Sequence, residues 1–190
     1  FHDMINLSNN NSWKVEAVVH QNDNIFEIET SSDGNGRAVR IDGKKVPQNN
    51  LSSSLKILWF LPPMDRIWME SSKDRRKFLD RMVYSLDIKH AKRCAQYEKL
   101  LRDRNKLLKD HIADSSWYLA IEKQMSILGF EIDSSRRYFI ENLNKALTEE
   151  SLHFPAIKLD LKDEPIENKE VLFESLINRR DKDLVSGRTN

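Results

Sequence analysis

Between Trp13 and Asp42, apolar and polar residues alternate in three short runs: WKVEAVVH (13–20), NIFEIET (24–30) and RAVRID (37–42). A period of two places every second side chain on one face, so the runs predict strands with one buried side. Gln21-Asn22-Asp23 separates the first two, and Ser31-Ser32-Asp33-Gly34-Asn35-Gly36 the second two. Asp-Gly and Asn-Gly tolerate the positive φ that tight hairpins need, and Asp42-Gly43 turns the chain once more. Residues 13–46 therefore read as an antiparallel meander of three strands or slightly more. Asp-Gly-Asn-Gly also resembles a phosphate or calcium loop, but the strand–GxxxxGK[ST]–helix context and the regular carboxylate spacing are missing, which favours a hairpin turn. Residues 51–55 predict a short helix, and 56–61 (KILWFL) a wholly apolar strand suited to the centre of a sheet.

Beyond that point the period changes. Pro62-Pro63 stops the strand, and residues 65–69 read as an irregular or short helical linker. Ser71, with Asp74 three residues on, has the pattern of an N-cap. The helix predicted over 73–86 puts Phe78, Leu79, Met82, Val83 and Leu86 on one side. From Ile88 to Ile112, apolar or small residues recur at 88, 91, 94/95, 97/98, 101, 105, 108 and 112. Asn105 falls on this seam, where a buried Asn can fix the register of a helix pair. After Asp114, a candidate cap, a second helix carries Tyr118, Ile121, Met125, Leu128, Ile132, Phe139, Leu143 and Leu147. It is interrupted by polar Ser135-Arg136, and Gly129 inside it costs about 1 kcal/mol relative to Ala. Two long helices joined by a short turn predict an antiparallel hairpin, the first about 35 Å long. Pro155 breaks the pattern, residues 157–161 alternate as a strand, and 169–178 predict a last helix. The expected class is α+β, with a β-rich part over 1–72, a helical arm over 73–150, and a returning strand and helix over 151–190.

Composition narrows this picture. Hydrophobic content of 39% against 32% charged residues fits a modest core bearing exposed helices. The single cysteine, Cys94, excludes an internal disulfide and points to a reducing, cytoplasmic setting. The longest apolar run, 57–63, is far short of the about 20 residues a membrane-spanning helix needs, so no membrane is expected. The chain opens on Phe1 without a Met or a signal-like segment, and an internal piece of a larger protein is expected.

Net charge is only +1, but it is unevenly spread. Between Lys89 and Lys109 stand eight basic residues (Lys89, Lys92, Arg93, Lys99, Arg102, Arg104, Lys106, Lys109) and two acidic ones, Glu98 and Asp103. They wrap the face opposite the apolar seam. Such a stripe can follow phosphates; a merely solvated helix face is the alternative. Lys73, Arg75, Arg76, Lys77 and Arg81 add to it against Asp74 and Asp80. Arg75-Arg76 reads equally as phosphate contacts or as structural ion pairs. Candidate DNA-contacting residues are thus Arg75, Arg76, Lys92, Lys99, Arg102, Lys106 and Lys109. His90 and Cys94, at i and i+4, have metal-ligand spacing, but a site needs three or four ligands and no others cluster nearby in the sequence. Neither G-x-S-x-G nor GxxxxGK[ST] occurs, and no catalytic residue is identified.

One further pattern spans nearly the whole chain. An apolar strand, Pro62-Pro63, bulky Ile67-Trp68 and then Arg75-Arg76-x-Phe78-Leu79-Asp80 resemble the central signature of the bacterial RecF family. VRIDG (39–43), YEKLLRDRNKLLKD (97–110) and RRDKDLVSGRT (179–189) resemble that family in kind and order. Pro63 stands where the family shows an acidic or amide residue, and Glu70-Ser71 where it shows small ones. The resemblance implies part of an ABC-type ATPase head lobe with an inserted antiparallel helical arm. It implies a parent that binds single- and double-stranded, gapped DNA and dimerises on ATP. With a RecR-type partner, such a parent helps load recombinase in repair, replication, recombination and the SOS response. The parent would be a weak DNA-dependent ATPase using ATP and Mg2+. The P-loop, signature and Walker B motifs would lie outside these residues, so this chain alone is expected to bind no nucleotide and to be inactive. Asp65 is the nearest candidate for a nucleotide-proximal loop. A coiled-coil arm that makes protein contacts without DNA is the alternative.

Overall fold

The computed structural model describes residues 12–21, 23–34, 36–51, 62–112, 114–149, 157–186 and 189. The chain falls into two compact units, Phe1–Ile57 and Leu58–Asn190. The first holds a four-stranded antiparallel sheet in sequential order: β1 (Trp13–Gln21), β2 (Asn24–Ser32), β3 (Arg37–Ile41) and β4 (Lys44–Val46). The β3–β4 turn has positive φ at both central residues, 49° at Asp42 and 75° at Gly43, the combination a two-residue hairpin turn demands. Asp42 also anchors that turn to β2. Its amide donates to Glu27 O (2.9 Å), and its carboxylate accepts from Glu27 N (2.9 Å).

The buried face of the sheet is centred on Ile28 and Val39. The edge strand β1 departs from the half-buried pattern its alternation predicts, with Val18 64% exposed. Among the described residues it pairs with β2 alone. Across the sheet Glu16 lies opposite Glu29, a like-charge pair that would repel. Lys14 resolves it by bonding both (2.5 and 3.3 Å), while Arg40 approaches Glu29 from β3 (2.5 Å). The expected strand at 56–61 and most of the helix at 51–55 lie outside the described residues.

The second unit opens with a 3-10 helix, Pro62–Met69, followed by α1 (Ser72–Tyr84), α2 (His90–Lys109), α3 (Ser115–Glu149), α4 (Lys169–Asn178) and α5 (Arg180–Ser186). Ser71 caps α1 as its spacing predicts, accepting from Asp74 N at 3.2 Å. Helices α2 and α3 form the antiparallel hairpin, and the 35 residues of α3 extend about 52 Å. The polar interruption at Ser135-Arg136 does not break α3. It is where α1 and the α1–α2 turn dock: Ser135 donates to Asp87 (3.0 Å) and Arg136 to Asp80 (2.8 and 2.9 Å).

The strand expected over 157–161 does not form. That stretch runs as irregular backbone along α3, whose side chains take the place of a strand partner. Asn144 accepts from Leu159 N (2.9 Å) and donates to Leu159 O (2.8 Å). Further on, Arg137 donates to Asp163 O (2.7 Å) and Asp133 accepts from Ile166 N (3.2 Å). Asn168 then caps α4 by accepting from Val171 N at 2.8 Å. The resulting architecture, an antiparallel sheet together with a helical hairpin, is α+β as the sequence predicts.

Candidate nucleic-acid interface

At about 100° per residue, Lys92, Lys99, Arg102, Lys106 and Lys109 fall within roughly one third of the surface of α2. His90, Arg104 and Leu108 occupy the opposite face and are buried. All five cations are exposed, and Lys89 at the N-cap of α2 is exposed with them. None of the six enters an ion pair among the described residues. Asp103 is the acidic residue interspersed on that side. A groove of about 390 Å³ runs between α2 and α3 beside Lys99 and Asp103, floored by Leu100, Ile127 and Leu128.

Two of the eight basic residues leave the stripe. Arg93 turns to acids, bonding Asp87 (2.5 Å) and Glu131 on α3 (2.7 Å). Arg104 is fully buried. This corrects its expected place on the face opposite the seam: three residues after Leu101 and four before Leu108, it lies on the buried side. Its guanidinium donates to Glu122 (3.0 Å), Asp183 (2.7 Å), Thr189 Oγ1 (2.7 Å) and Leu176 O (3.0 Å). Burial without these partners would cost several kcal/mol, and four of the five N–H donors meet an acceptor.

The α1 candidates behave differently from the stripe. Arg75 donates to Glu70 O (2.6 Å), closing the entry to its own helix, and Arg76 is exposed with Nε on Ser72 O (3.2 Å). Both bond backbone carbonyls, and among the described residues neither forms the structural ion pair that was one of the two expectations. Arg76 stays accessible to an anion; Arg75 is half-buried. Asp65 is exposed in the first turn of the 3-10 helix.

His90 and Cys94 are not isolated helix residues, as their sequence surroundings suggested. Asp80 of α1 joins them, bonding His90 Nε2 at 2.8 Å, with Cys94 Sγ 3.5 Å from the same nitrogen. Arg136 binds both oxygens of that carboxylate, so the trio is an ion cluster already neutralised by a guanidinium. Burial pushes the Asp80 carboxyl up, but the bonds from His90 and Arg136 outweigh it and hold it below the ordinary range. Burial and the Asp80 charge push the Cys94 thiol up to about 11, the opposite of what a thiolate ligand or nucleophile requires.

No family model matches the chain. Curated relatives do. The DNA replication and repair protein RecF of Rhizobium rhizogenes is 31% identical over 202 residues, covering 98% of this chain and 54% of that protein. The protein of the same name from Rhizobium etli is 40% identical over 138 residues, covering 70% and 37%. That from Rickettsia felis is 33% identical over 175 residues, covering 87% and 48%. Two solved structures share the fold across 94% of this chain and about half of theirs. One, of the recombination mediator protein RecF-ATPrS in the RecFOR pathway, gives a TM-score of 0.77 at 20% identity. The other, of RecF-ATP in that pathway, gives 0.70 at 24%. Spanning about half the length of the curated relatives it matches, the chain belongs to the RecF family.

Proposed function

We propose that this chain is the arm-bearing part of a RecF-type protein of DNA replication and repair, and that α2 contacts the phosphate backbone of DNA. The observation that carries this reading is the sorting of cations on α2. Arg93 and Arg104 are consumed by acids, while six others remain exposed, five of them along the face opposite the buried one. Such a face neutralises phosphates without reading bases, so it supports affinity more than sequence preference. Arg76 is the α1 residue best able to add to it, while Arg75 acts first on its own helix entry.

In the intact protein this contact serves ATP-dependent dimerisation and recombinase loading at gapped DNA, with Mg2+ and a RecR-type partner, in the cytoplasm. The solved relatives named with ATP and ATPrS support nucleotide binding by the parent. This chain alone is expected neither to bind nor to hydrolyse ATP, since it lacks GxxxxGK[ST]. By the family resemblance, Asp65 is this chain's candidate for a residue of the nucleotide-proximal loop.

Fluorescence anisotropy of a labelled duplex oligonucleotide, titrated with the chain at several salt concentrations, tests the reading. Each neutralised phosphate contributes about −0.9 to the log–log salt slope, so six contacts give roughly −5. Joint reversal of Lys92, Lys99 and Lys106 to Glu should weaken binding uniformly across sequences and flatten that slope by about three. Binding that is absent at low salt, or indifferent to salt, would leave a coiled-coil arm for protein contacts as the reading.

A further inference from the structure

The inner face of α2 is as ordered as its outer face is charged. Arg104 spreads its guanidinium over Glu122 on α3, Asp183 on α5, Leu176 O on α4 and Thr189. Glu122 in turn holds Arg180, whose guanidinium lies 5.3 Å from the Tyr118 ring centroid. The neighbouring Asn105 accepts from Thr189 N at 2.7 Å and from Thr189 Oγ1 at 2.8 Å. The Thr189 hydroxyl thus accepts from Arg104 and donates to Asn105.

A buried ion cluster of this kind is a weak source of net stability, because desolvation offsets most of the attraction. Its contribution is directional. A planar guanidinium offers its N–H groups at fixed angles, and satisfying four acceptors at once permits one rotation of the helix that carries it. Arg102 and Lys106, two residues to either side of Arg104, therefore point outward.

We infer that Arg104 and Asn105 are positioning residues whose inward bonds set the rotation of α2, holding the outward cations in line and Thr189 against the helical unit. The part concerning the cations rests on the DNA-contact reading above. Two measurements on the whole chain separate the parts. The first is amide hydrogen exchange at Thr189, with Met125 in the core of α3 as reference, in Asn105→Ala and Asn105→Asp. Loss of the acceptor should speed Thr189 exchange by about tenfold and leave Met125 unchanged, and Asp, which keeps the oxygen, should restore protection. Unchanged Thr189 exchange in Asn105→Ala, or equal acceleration at both sites, overturns the hold on Thr189.

The second is the salt slope for duplex DNA in a charge-neutral double variant, Arg104→Met with Asp183→Asn, in which Glu122 stays paired with Arg180 and no buried charge loses its partner. With Met125 still protected, the slope should flatten by about one or more, as phosphate contacts drop out of register. An unchanged slope overturns the positioning of the cations. No salt-dependent binding by the wild type sinks the DNA reading and that positioning with it, while Thr189 exchange still decides the latch.

Discussion

Gly129 stands in the interior of α3, where its freedom is a liability; in an open helix Gly→Ala would stabilise by about 1 kcal/mol. Packing opposes that gain here. A Cβ at this position would lie 2.8 Å from Leu172 Cδ2 on α4 and 3.3 Å from Tyr97 Cε2 on α2. Three helices meet at this point, and the glycine is the space that lets them meet. Overpacking of this kind costs about 1–3 kcal/mol. The Leu172 methyl is the far end of a flexible side chain and gives way in part, so the lower half of that range applies. Gly129→Ala is therefore expected to give no net gain and to destabilise by up to about 1 kcal/mol, the clash offsetting or exceeding the propensity. Urea unfolding followed by helical circular dichroism reads the shift. Leu172→Ala removes the nearer obstacle, and in that background Gly129→Ala should become stabilising, with a coupling of about 1–2 kcal/mol in the double-mutant cycle. A wild-type background in which Gly129→Ala gains the full helix-propensity benefit, or a cycle without coupling, would refute the argument that close approach fixes this residue.

Two further outcomes follow from the cluster at the base of the hairpin. Because the folded Asp80 carboxyl titrates below its unfolded value of about 3.9, its contribution is fully present above that pH and is lost as pH falls below it. Asp80→Asn should thus lower the urea midpoint clearly at neutral pH and by less at a pH about one unit below the unfolded carboxyl value; equal losses at both would remove the charge from the explanation. Cys94, raised from 9.0 to about 11, should react with a thiol reagent at mildly alkaline pH roughly a hundredfold more slowly than a free cysteine, and at the ordinary rate in denaturant. Rapid labelling of the folded chain would show the thiol to be open instead.

How much of this was legible beforehand divides along sequence distance. Strand alternation, the Asp42-Gly43 turn, the Ser71 cap and the antiparallel hairpin are read from residues within a few positions of one another, and each formed. The failures share a cause. The 157–161 stretch alternates like a strand, but its backbone partner is a side chain, Asn144, fifteen residues from Leu159. Ser135-Arg136 reads as an interruption because its partners, Asp87 and Asp80, belong to another helix.

The candidate interface shows the same division at one helix. By itself the sequence determined that α2 is amphipathic and basic opposite its seam, since a period of 3.6 sorts side chains to faces whatever surrounds them. Only the tertiary structure decided which cations stay outside. Arg104 meets Asp183 across 79 residues of sequence, and Arg136 meets Asp80 across 56. A charge on a helix carries no local mark of its eventual partner. The partner is chosen when burial makes an unpaired charge too costly, and burial is a property of the packed molecule.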